Sequence, residues 1–465
     1  MLVPRAHQIE AKNAILSAKN EGKPGFLLGD YTGLGKTLTT WLAVSEMEEQ
    51  AILIVCPRGA LSQWRTTIQN CPKTHHNITL TTYGKTKHLL TLSTKNPAKS
   101  TRAKNKFYAK NARPQNSAGI VIFDEAHNLR NPDSQRTLCC TQIAKTAIFQ
   151  IYLSATAGQH PFEVHYLTAL IEHHVAIPNS HPKPFQALMK DLRIGTPKGR
   201  WRNWKWNYSK SDLTTIAELL FTGTHPIGIR RYPEDIRGWP SVQRELTPVT
   251  LEPGERKLYK ENWRVFRKAF ELEGGSIHTR NAQMAAIRFR QKASLIRVTG
   301  TAIFADDLIN NGHQVAISVQ YTETCTALQA KLQELGWKVS TYTGLNHTAT
   351  NEHNRLAFQT GNLDAIVFTV SEAISLHQHE LPGGERPRSL LIHDVRYSPI
   401  DLTQIEGRCH RDGQKSIIYY AYAEDTIEET IAKTALTRIR NMSTMSGDDT
   451  AFVDDLLQQL QNEQK

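Results

Sequence analysis

The nine residues Gly29 to Thr37, GDYTGLGKT, decide the fold of this chain. They follow a short apolar run, GFLLG from Gly25, and precede a stretch with helical periodicity, Leu38 to Met47. A glycine-rich turn between a strand and a helix is the context that a phosphate-binding P-loop requires. The segment therefore predicts a strand–loop–helix unit that binds the phosphates of a nucleotide.

Each residue of the turn has a chemical reason to be there. Gly33 and Gly35, on either side of Leu34, let the backbone turn tightly, so that N–H groups point at phosphate oxygens beside the positive end of the helix dipole. In this pattern Lys36 reaches the β- and γ-phosphates, and the Thr37 hydroxyl ligates Mg²⁺. We therefore expect ATP and Mg²⁺ as cofactors.

Two acidic residues supply the second half of the predicted site. Asp124 and Glu125 follow the apolar run Ile120 to Phe123. Ligands of parallel sheets bind at the carboxyl ends of the strands. We expect Asp124 to hold Mg²⁺, directly or through water, and Glu125 to polarise the attacking water as general base. The two motifs together predict ATP hydrolysis.

Short apolar runs alternate with helical segments along most of the chain, which predicts parallel βαβ units. The first group is GFLLG, AILIVC, IVIFD and FQIYL, beginning at Gly25, Ala51, Ile120 and Phe149. The second group begins at Val315, Lys338, Ala365, Leu390 and Ile417. We therefore predict an α/β fold with two lobes, separated by an irregular region rich in Pro, His, Trp and basic residues.

Composition excludes several classes of protein. The chain has 465 residues, 39% of them hydrophobic and 22% charged, which is typical of two or three globular domains. No apolar run approaches the ~20 residues of a membrane span, and the N-terminal MLVPRAHQ lacks the apolar stretch of a signal peptide. The six cysteines contain no CxxC pair. We expect free thiols in a reducing, intracellular compartment, cytoplasmic if the protein is bacterial or expressed by a phage in its host.

The charge distribution points to a polyanionic partner. The formal net charge is +12, and no Asp or Glu occurs between Gln50 and Phe123. The part of this stretch from Lys95 to Arg113 predicts a basic loop that contacts the backbone of duplex DNA without sequence preference. The alternative is a solvated loop without a ligand. The residues expected to bind nucleic acid here are Lys99, Arg102, Lys104 and Lys106.

Further segments resemble, in their order, the Swi/Snf-like branch of helicase superfamily two, the double-stranded-DNA translocases. The resemblance covers roughly Val3 to Lys433, as a compact member that consists of the core alone. The segments are PRAHQ from Pro4, CPRGALSQW from Cys56, TTYGK from Thr81, LSAT from Leu153, GIRRYPEDI from Gly228, VAISVQY from Val315, QIEGRCHRDGQK from Gln404 and TIEETI from Thr426.

The resemblance implies two tandem RecA-like lobes with parallel β-sheets and ATP in the cleft between them. It implies that Gln8 recognises adenine, and that Ser154 and Thr156 couple hydrolysis to lobe movement. It also implies that Arg408 and Arg411 of lobe two reach the γ-phosphate, where planar guanidinium groups stabilise transition-state charge. The two arginines are three residues apart, so on a helix they share a face.

On the same resemblance, Arg58, Trp64 and Tyr83 lie near the DNA-facing side of lobe one. The implied domains are lobe one at 1–235, with the irregular region at about 175–235, a linker with helical elements at 236–300, lobe two at 301–442 and a tail at 443–465. The implied function is a nucleic-acid-stimulated ATPase that translocates on duplex or forked DNA, and that remodels or anneals forks or displaces bound proteins. The resemblance does not indicate which proteins this chain binds.

Three segments depart from the expected patterns. The strict P-loop has glycine where this chain has Asp30, and the family has glycine where it has Ala373. The family's LTGTP is LSATA here, from Leu153, a form found in other superfamily-two helicases. A strand-separating DNA or RNA helicase therefore remains an alternative function. A non-catalytic nucleic-acid-binding scaffold is the alternative from another class.

Overall fold

The computed structural model describes most of the chain. The described residues are 4–49, 51–70, 77–92, 107, 111–175, 184–198, 203–205, 209–272, 279–369, 374–396, 398–410, 413–448 and 450–462. They form two compact units. Unit 1 comprises Met1–Arg237 and Ile439–Phe452, and unit 2 comprises Gly238–Arg438 and Val453–Lys465.

A six-stranded parallel sheet forms the centre of unit 1, in the order β10-β1-β7-β6-β2-β3. Its strands are β1 (Gly25–Leu28), β2 (Ala51–Cys56), β3 (Asn77–Thr82), β6 (Ile120–Asp124), β7 (Phe149–Leu153) and β10 (Gly228–Ile229). Two short antiparallel pairs accompany it: β4 (Leu90–Leu92) with β5 (Ala112–Pro114), and β8 (Thr196–Lys198) with β9 (Asn203–Lys205).

Helices cover both faces of this sheet, which explains why its inner strands β1, β7, β6 and β2 are buried along almost their whole length. Alternate residues of β1 enter different cores: Leu27 packs into one cluster, whereas Phe26 and Leu28 pack into the other. The helices of the segment Met1–Arg237 are α1 (Ala6–Asn20), α2 (Lys36–Val44), α3 (Leu61–Asn70), α4 (Gln135–Ala144), α5 (Thr168–Val175), α6 (Pro184–Asp191) and α7 (Lys210–Ala217). Shorter 3₁₀ or π turns are Arg58–Ala60, Tyr83–Leu89, Ala126–Leu129, Pro161–Leu167, Glu218–Thr222 and Pro233–Asp235.

Unit 2 has a second six-stranded parallel sheet, in the order β11-β16-β15-β12-β14-β13. Its strands are β11 (Gln243–Val249), β12 (Gln314–Ser318), β13 (Val339–Tyr342), β14 (Ala365–Phe368), β15 (Arg388–Ile392) and β16 (Ser416–Ala423). The helices that begin after Gly238 are α8 (Pro253–Leu272), α9 (Arg280–Ile296), α10 (Val298–Asn310), α11 (Thr322–Glu334), α12 (Thr348–Gln359), α13 (Pro399–Glu406), α14 (Ile427–Ser446) and α15 (Ala451–Asn462). The predicted α/β fold with two parallel sheets is confirmed.

The strand order of unit 1 positions the candidate site. Strand β7 lies between β1 and β6, and Leu28 and Asp124 are both register partners of Leu153. The three strands therefore end level with one another, and the residues that follow them share one edge of the sheet. No helix of the described residues is long and apolar enough to span a membrane.

Candidate nucleotide site

The glycine turn after β1 has the backbone of an anion-binding loop. Gly33 and Gly35 adopt positive φ angles of 86° and 85°, which non-glycine residues rarely adopt. A Cβ atom on Gly35 would also meet Nε2 of Gln8, so a side chain at this position would displace Gln8 from the turn. Helix α2 begins directly after Gly35, and no side chain caps its N-terminus.

The residues around this loop fit ATP with Mg²⁺. The N–H groups of an uncapped first helical turn attract phosphate oxygens. Lys36 adds a positive charge, and the Thr37 hydroxyl and the Asp124 carboxylate are the hard oxygen ligands that Mg²⁺ prefers. Thr37 lies in the first turn of α2, and Nε2 of Gln63 approaches its hydroxyl oxygen at 3.5 Å.

Lys36 is held by its own loop. Its Nζ donates to the carbonyl oxygens of Asp30 at 2.7 Å and Tyr31 at 3.2 Å. Burial lowers the pKa of Lys36, and the nearby charges of Glu125 and Asp30 oppose that shift. The two carbonyl oxygens therefore hold the Lys36 side chain at the loop.

Gln8 lies directly over the glycine turn. Its Nε2 donates to the carbonyl oxygen of Leu34 at 3.1 Å, and its Oε1 accepts from the backbone N–H of Arg5 at 2.9 Å. The same Leu34 oxygen contacts Nε2 of His7 at 3.0 Å. Burial lowers the pKa of His7, so this imidazole is neutral at pH 7 and donates to that oxygen through Nε2. Gln8 therefore lies beside the loop, and its recognition of adenine stays a prediction.

Asp124 ends β6 with its carboxylate oriented by two donors. Oδ2 accepts from Nε1 of Trp64 at 2.8 Å, and Oδ1 accepts from the N–H of Glu125 at 3.0 Å. The Tyr83 hydroxyl donates to the Asp124 carbonyl oxygen at 2.7 Å. Burial and the neighbouring Glu125 charge raise the pKa of Asp124 to about 7. A cation bound here would favour the ionised carboxylate.

Two predicted nucleic-acid contacts are corrected by these hydrogen bonds. Trp64 is fully buried and Tyr83 is 6% exposed, and the polar atoms of both side chains are directed at Asp124. Because neither ring reaches the surface, neither can contact a nucleic acid, and both instead support the acidic strand end. Arg58, by contrast, is exposed at the start of the 3₁₀ turn after β2.

Glu125 has an unusual backbone conformation. Its φ of 51° and ψ of 55° are left-handed, a conformation that costs energy in a non-glycine residue. Its Oε2 lies 3.3 Å from Nδ1 of His127, which also contacts the Ser154 hydroxyl at 3.1 Å. The Ser154 hydroxyl in turn donates to the Thr156 carbonyl oxygen at 2.8 Å. This chain of contacts joins the acidic motif to the two predicted coupling residues, through a histidine that the sequence reasoning left without a role.

Two neighbouring arginines, Arg230 and Arg231, were also without a predicted role. Arg231 donates to both carboxylate oxygens of Asp30, at 3.1 and 2.5 Å, and to the carbonyl oxygen of His7. Arg230 donates to the carbonyl oxygens of Gly29, at 2.6 Å, and Ala155. The departure at Asp30 therefore has a physical reason, because this carboxylate is the counter-ion of a buried arginine.

In unit 2, Arg408 follows helix α13 and is 7% exposed. Its Nη1 donates to the carbonyl oxygen of Ile374 at 3.1 Å, and its own carbonyl oxygen accepts from the N–H of Leu376. Arg408 does not lie on that helix, because α13 ends at Glu406 with Gly407 as its C-cap, so the condition for a shared helical face with Arg411 is not met at Arg408.

Several predicted residues lie outside the described part of the chain. These are Arg411, Ala373, and the four residues of the basic loop, Lys99, Arg102, Lys104 and Lys106. Their roles stay predictions.

The chain is similar to a known protein family and to chromatin proteins of several organisms. The family model "SNF2-related domain" matches residues 7–299. The chain is 21% identical, over 439 residues, to a Caenorhabditis elegans homologue of "SWI/SNF-related matrix-associated actin-dependent regulator of chromatin subfamily A-like protein 1", covering 90% of this chain and 59% of that protein. It is 20% identical, over 543 residues, to "Protein CHROMATIN REMODELING 19" of Arabidopsis thaliana, covering 94% and 68%. The chain thus spans less than two thirds of the Caenorhabditis relative.

Among solved structures, the chain is similar to a "Sulfolobus solfataricus SWI2/SNF2 ATPase core in complex with dsDNA". The sequence identity is 17%, the TM-score is 0.38, and the alignment covers 99% of this chain and 97% of that one.

Proposed function

The chain belongs to the family of the SNF2-related domain, and from that premise we propose that it is a DNA-stimulated ATPase that translocates on duplex DNA. This family membership confirms the resemblance to the Swi/Snf-like branch of helicase superfamily two. The observation that carries the proposal is the shared sheet edge of unit 1, where the P-loop, Asp124 with Glu125, and Ser154 follow three adjacent strands.

In this proposal each residue of the edge does one task. The N–H groups of Gly33, Leu34 and Gly35 and the Lys36 ammonium bind the phosphates. Thr37 and Asp124 would hold Mg²⁺, which supplies charge neutralisation at the phosphates when it is bound. Glu125 orients the attacking water and accepts its proton. Its left-handed backbone turns the chain directly after β6, and its carboxylate lies 3.3 Å from Nδ1 of His127.

The remaining assignments are carried by the family resemblance. Gln8 recognises the adenine ring, Arg408 and Arg411 donate to the γ-phosphate, and Ser154 and Thr156 transmit the state of the nucleotide. The contact of His127 with Ser154 supports that last role, since it joins the general base to the coupling segment. We also propose the two RecA-like lobes of the sequence analysis as the parts that ATP brings together.

Duplex DNA is the proposed track, and sequence-independent phosphate contacts are its proposed mode of binding. A motor that moves along a duplex needs contacts that repeat at every step, and backbone phosphates provide them. Exposed Arg58 and the basic loop of Lys99, Arg102, Lys104 and Lys106 are the proposed contacts.

The decisive experiment measures ATP turnover without nucleic acid and with blunt duplex, forked DNA or RNA. We expect low basal turnover and the largest stimulation by duplex or forked DNA, with Lys36→Ala inactive in every arm. Displacement of a triplex-forming strand from blunt duplex tests translocation, and strand release from a fork tests the helicase alternative. Turnover that is equal with and without nucleic acid would refute the coupling, and binding without any turnover would favour the scaffold.

A further inference from the structure

A short segment near the C-terminal end of unit 1 packs against the rest of that unit, which contains the candidate nucleotide site. We call Ser443 to Asp448 the C-terminal anchor. Helix α14 ends here in a Schellman motif: the N–H of Asp448 donates to the Ser443 carbonyl oxygen at 2.9 Å, and the N–H of Gly447 donates to that of Thr444 at 3.1 Å. Gly447 has a φ of +76°, as this motif requires.

The anchor is packed in place on both sides of that turn. Met445 is fully buried in the apolar core on one face of the unit 1 sheet. A Cβ atom on Gly447 would lie 2.4 Å from Cγ2 of Thr222, so the turn approaches Thr222 closely. The packing of Met445 and Gly447 on either side of the turn therefore places the backbone of Asp448 within unit 1.

Asp448 forms a bidentate ion pair with Arg230. Nε and Nη2 of Arg230 donate to the two carboxylate oxygens, each at 2.6 Å. The side chains are 5% and 11% exposed, respectively. Burial alone would lower the pKa of Arg230, but the charge and hydrogen bonds of Asp448 outweigh burial and raise it. The remaining Nη1 of Arg230 serves the carbonyl oxygens of Gly29 and Ala155.

Those two carbonyl oxygens belong to the candidate site. Gly29 is the residue after β1, at the start of the P-loop segment, and Ala155 lies between Ser154 and Thr156. A planar guanidinium that is fixed along one edge by a bidentate carboxylate presents its other N–H groups in one direction only. The carboxylate therefore determines where Nη1 points.

We propose that Asp448 is a positioning residue for ATP hydrolysis: by fixing Arg230, it holds the start of the P-loop and the coupling segment in register. The inference rests on the proposed ATPase function. Without the carboxylate, a buried guanidinium keeps its charge and loses its counter-ion, so it turns toward other acceptors or water. Gly29 and Ala155 then lose their shared donor, while Lys36 and the N–H groups of α2 still bind the nucleotide.

The test compares five variants of the whole chain in DNA-stimulated ATP turnover: Asp448→Asn, Asp448→Glu, Arg230→Lys, Arg230→Gln and the double variant Arg230→Gln/Asp448→Asn. The matched control is Asp425→Asn, which removes a carboxylate from an Asp–Arg pair that is 80% exposed on its acidic side. We expect Asp448→Asn to lower kcat by roughly 10- to 100-fold, because small misplacements at an active site have effects of that size. We expect KM for ATP to change less than about threefold, since phosphate binding is retained.

Conservative substitution separates positioning from folding. Asp448→Glu retains a bidentate carboxylate and should recover most of kcat. Arg230→Lys keeps a charge paired with Asp448 but cannot serve four acceptors, so it should lower kcat even if Asp448→Asn does not fold. The double variant should be no slower than Arg230→Gln alone, because Asp448 acts through Arg230.

The outcomes are distinct. An inactive wild type refutes the proposed function itself. If the wild type is active and the kcat of Asp448→Asn, or of a folded Arg230→Lys, is within twofold of the wild-type kcat, the inference is overturned and the proposed function still stands. A loss shared by the Asp425→Asn control, or effects that add in the double variant, also overturns it.

Discussion

Replacing Asp30 by alanine tests whether this unexpected residue of the P-loop is the counter-ion of a buried arginine. The Asp30 side chain is 1% exposed and that of Arg231 is 10% exposed. Removing one partner of such a pair leaves an uncompensated buried charge, which destabilises proteins by about 3–5 kcal/mol. Arg231 keeps the His7 carbonyl oxygen and a 3.2 Å contact with Glu10, so we expect the lower end, about 3 kcal/mol.

Thermal unfolding followed by tryptophan fluorescence measures this loss, since the buried Trp41 and Trp64 report on unit 1. A unit of this size shifts its midpoint by about 2–4 °C for each kcal/mol, so Asp30→Ala should lower the unit 1 transition by about 6–12 °C. The double variant Asp30→Ala/Arg231→Leu removes the orphaned charge and should regain more than half of the loss. A single variant within 2 °C of wild type, or a double variant whose loss equals the sum of the singles, would refute the reasoning.

Three further predictions concern the site, the DNA track and unit 2. Glu125→Gln should retain affinity for a fluorescent ATP analogue while losing kcat, whereas Lys36→Ala loses turnover altogether; an equal loss of affinity in both would make Glu125 structural. Replacing Lys99, Arg102, Lys104 and Lys106 by serine should flatten the slope of log K against log salt on duplex DNA by about two to four units, at ~0.9 per lost phosphate contact, and an unchanged slope would assign the loop to solvent. Burial and the Arg297 charge lower the pKa of His393 to about 4, so the unfolded chain binds the proton first and the stability of unit 2 should fall as pH drops from about 6.5 to 4, by up to about 3 kcal/mol. Denaturant unfolding at pH 7 and pH 4.5 checks this, and His393→Asn with the same pH dependence as wild type would contradict it.

The parts of the site that lie close in sequence were predictable. Gly33 to Lys36 form one turn, and Asp124 with Glu125 ends an apolar run, so the placement of these residues at a glycine turn and at a strand end follows from local pattern alone. The strands were predicted for the same reason: Ala51–Cys56, Ile120–Asp124 and Phe149–Leu153 have the bounds read from their apolar runs. Local composition decides where a buried parallel strand begins and ends.

Long-range partners were not predictable. The contacts of Trp64 and Tyr83 with Asp124 span 60 and 41 residues, and nothing in their own segments distinguishes a buried hydrogen-bonding ring from a surface ring. The end of α13 is a different failure, since Gly407 was available as a helix stop. A spacing of three residues indicates a shared face only while the helix continues, and here the helix ends before Arg408.

The neighbouring arginines show how one short segment can serve two partners. After β10 the chain continues beside β1, with the N–H of Gly29 donating to the Ile229 carbonyl oxygen and that of Tyr31 donating to the Arg231 oxygen. In such an extended segment successive side chains point in opposite directions. Arg230 is therefore directed to Gly29, Ala155 and Asp448, and Arg231 to Asp30 and His7. The two guanidinium groups hold different acceptors of the same loop, and each has its own buried carboxylate, Asp448 for Arg230 and Asp30 for Arg231. The two arginines and their two carboxylates therefore form one arrangement, and the aspartate at position 30 of the P-loop is part of it.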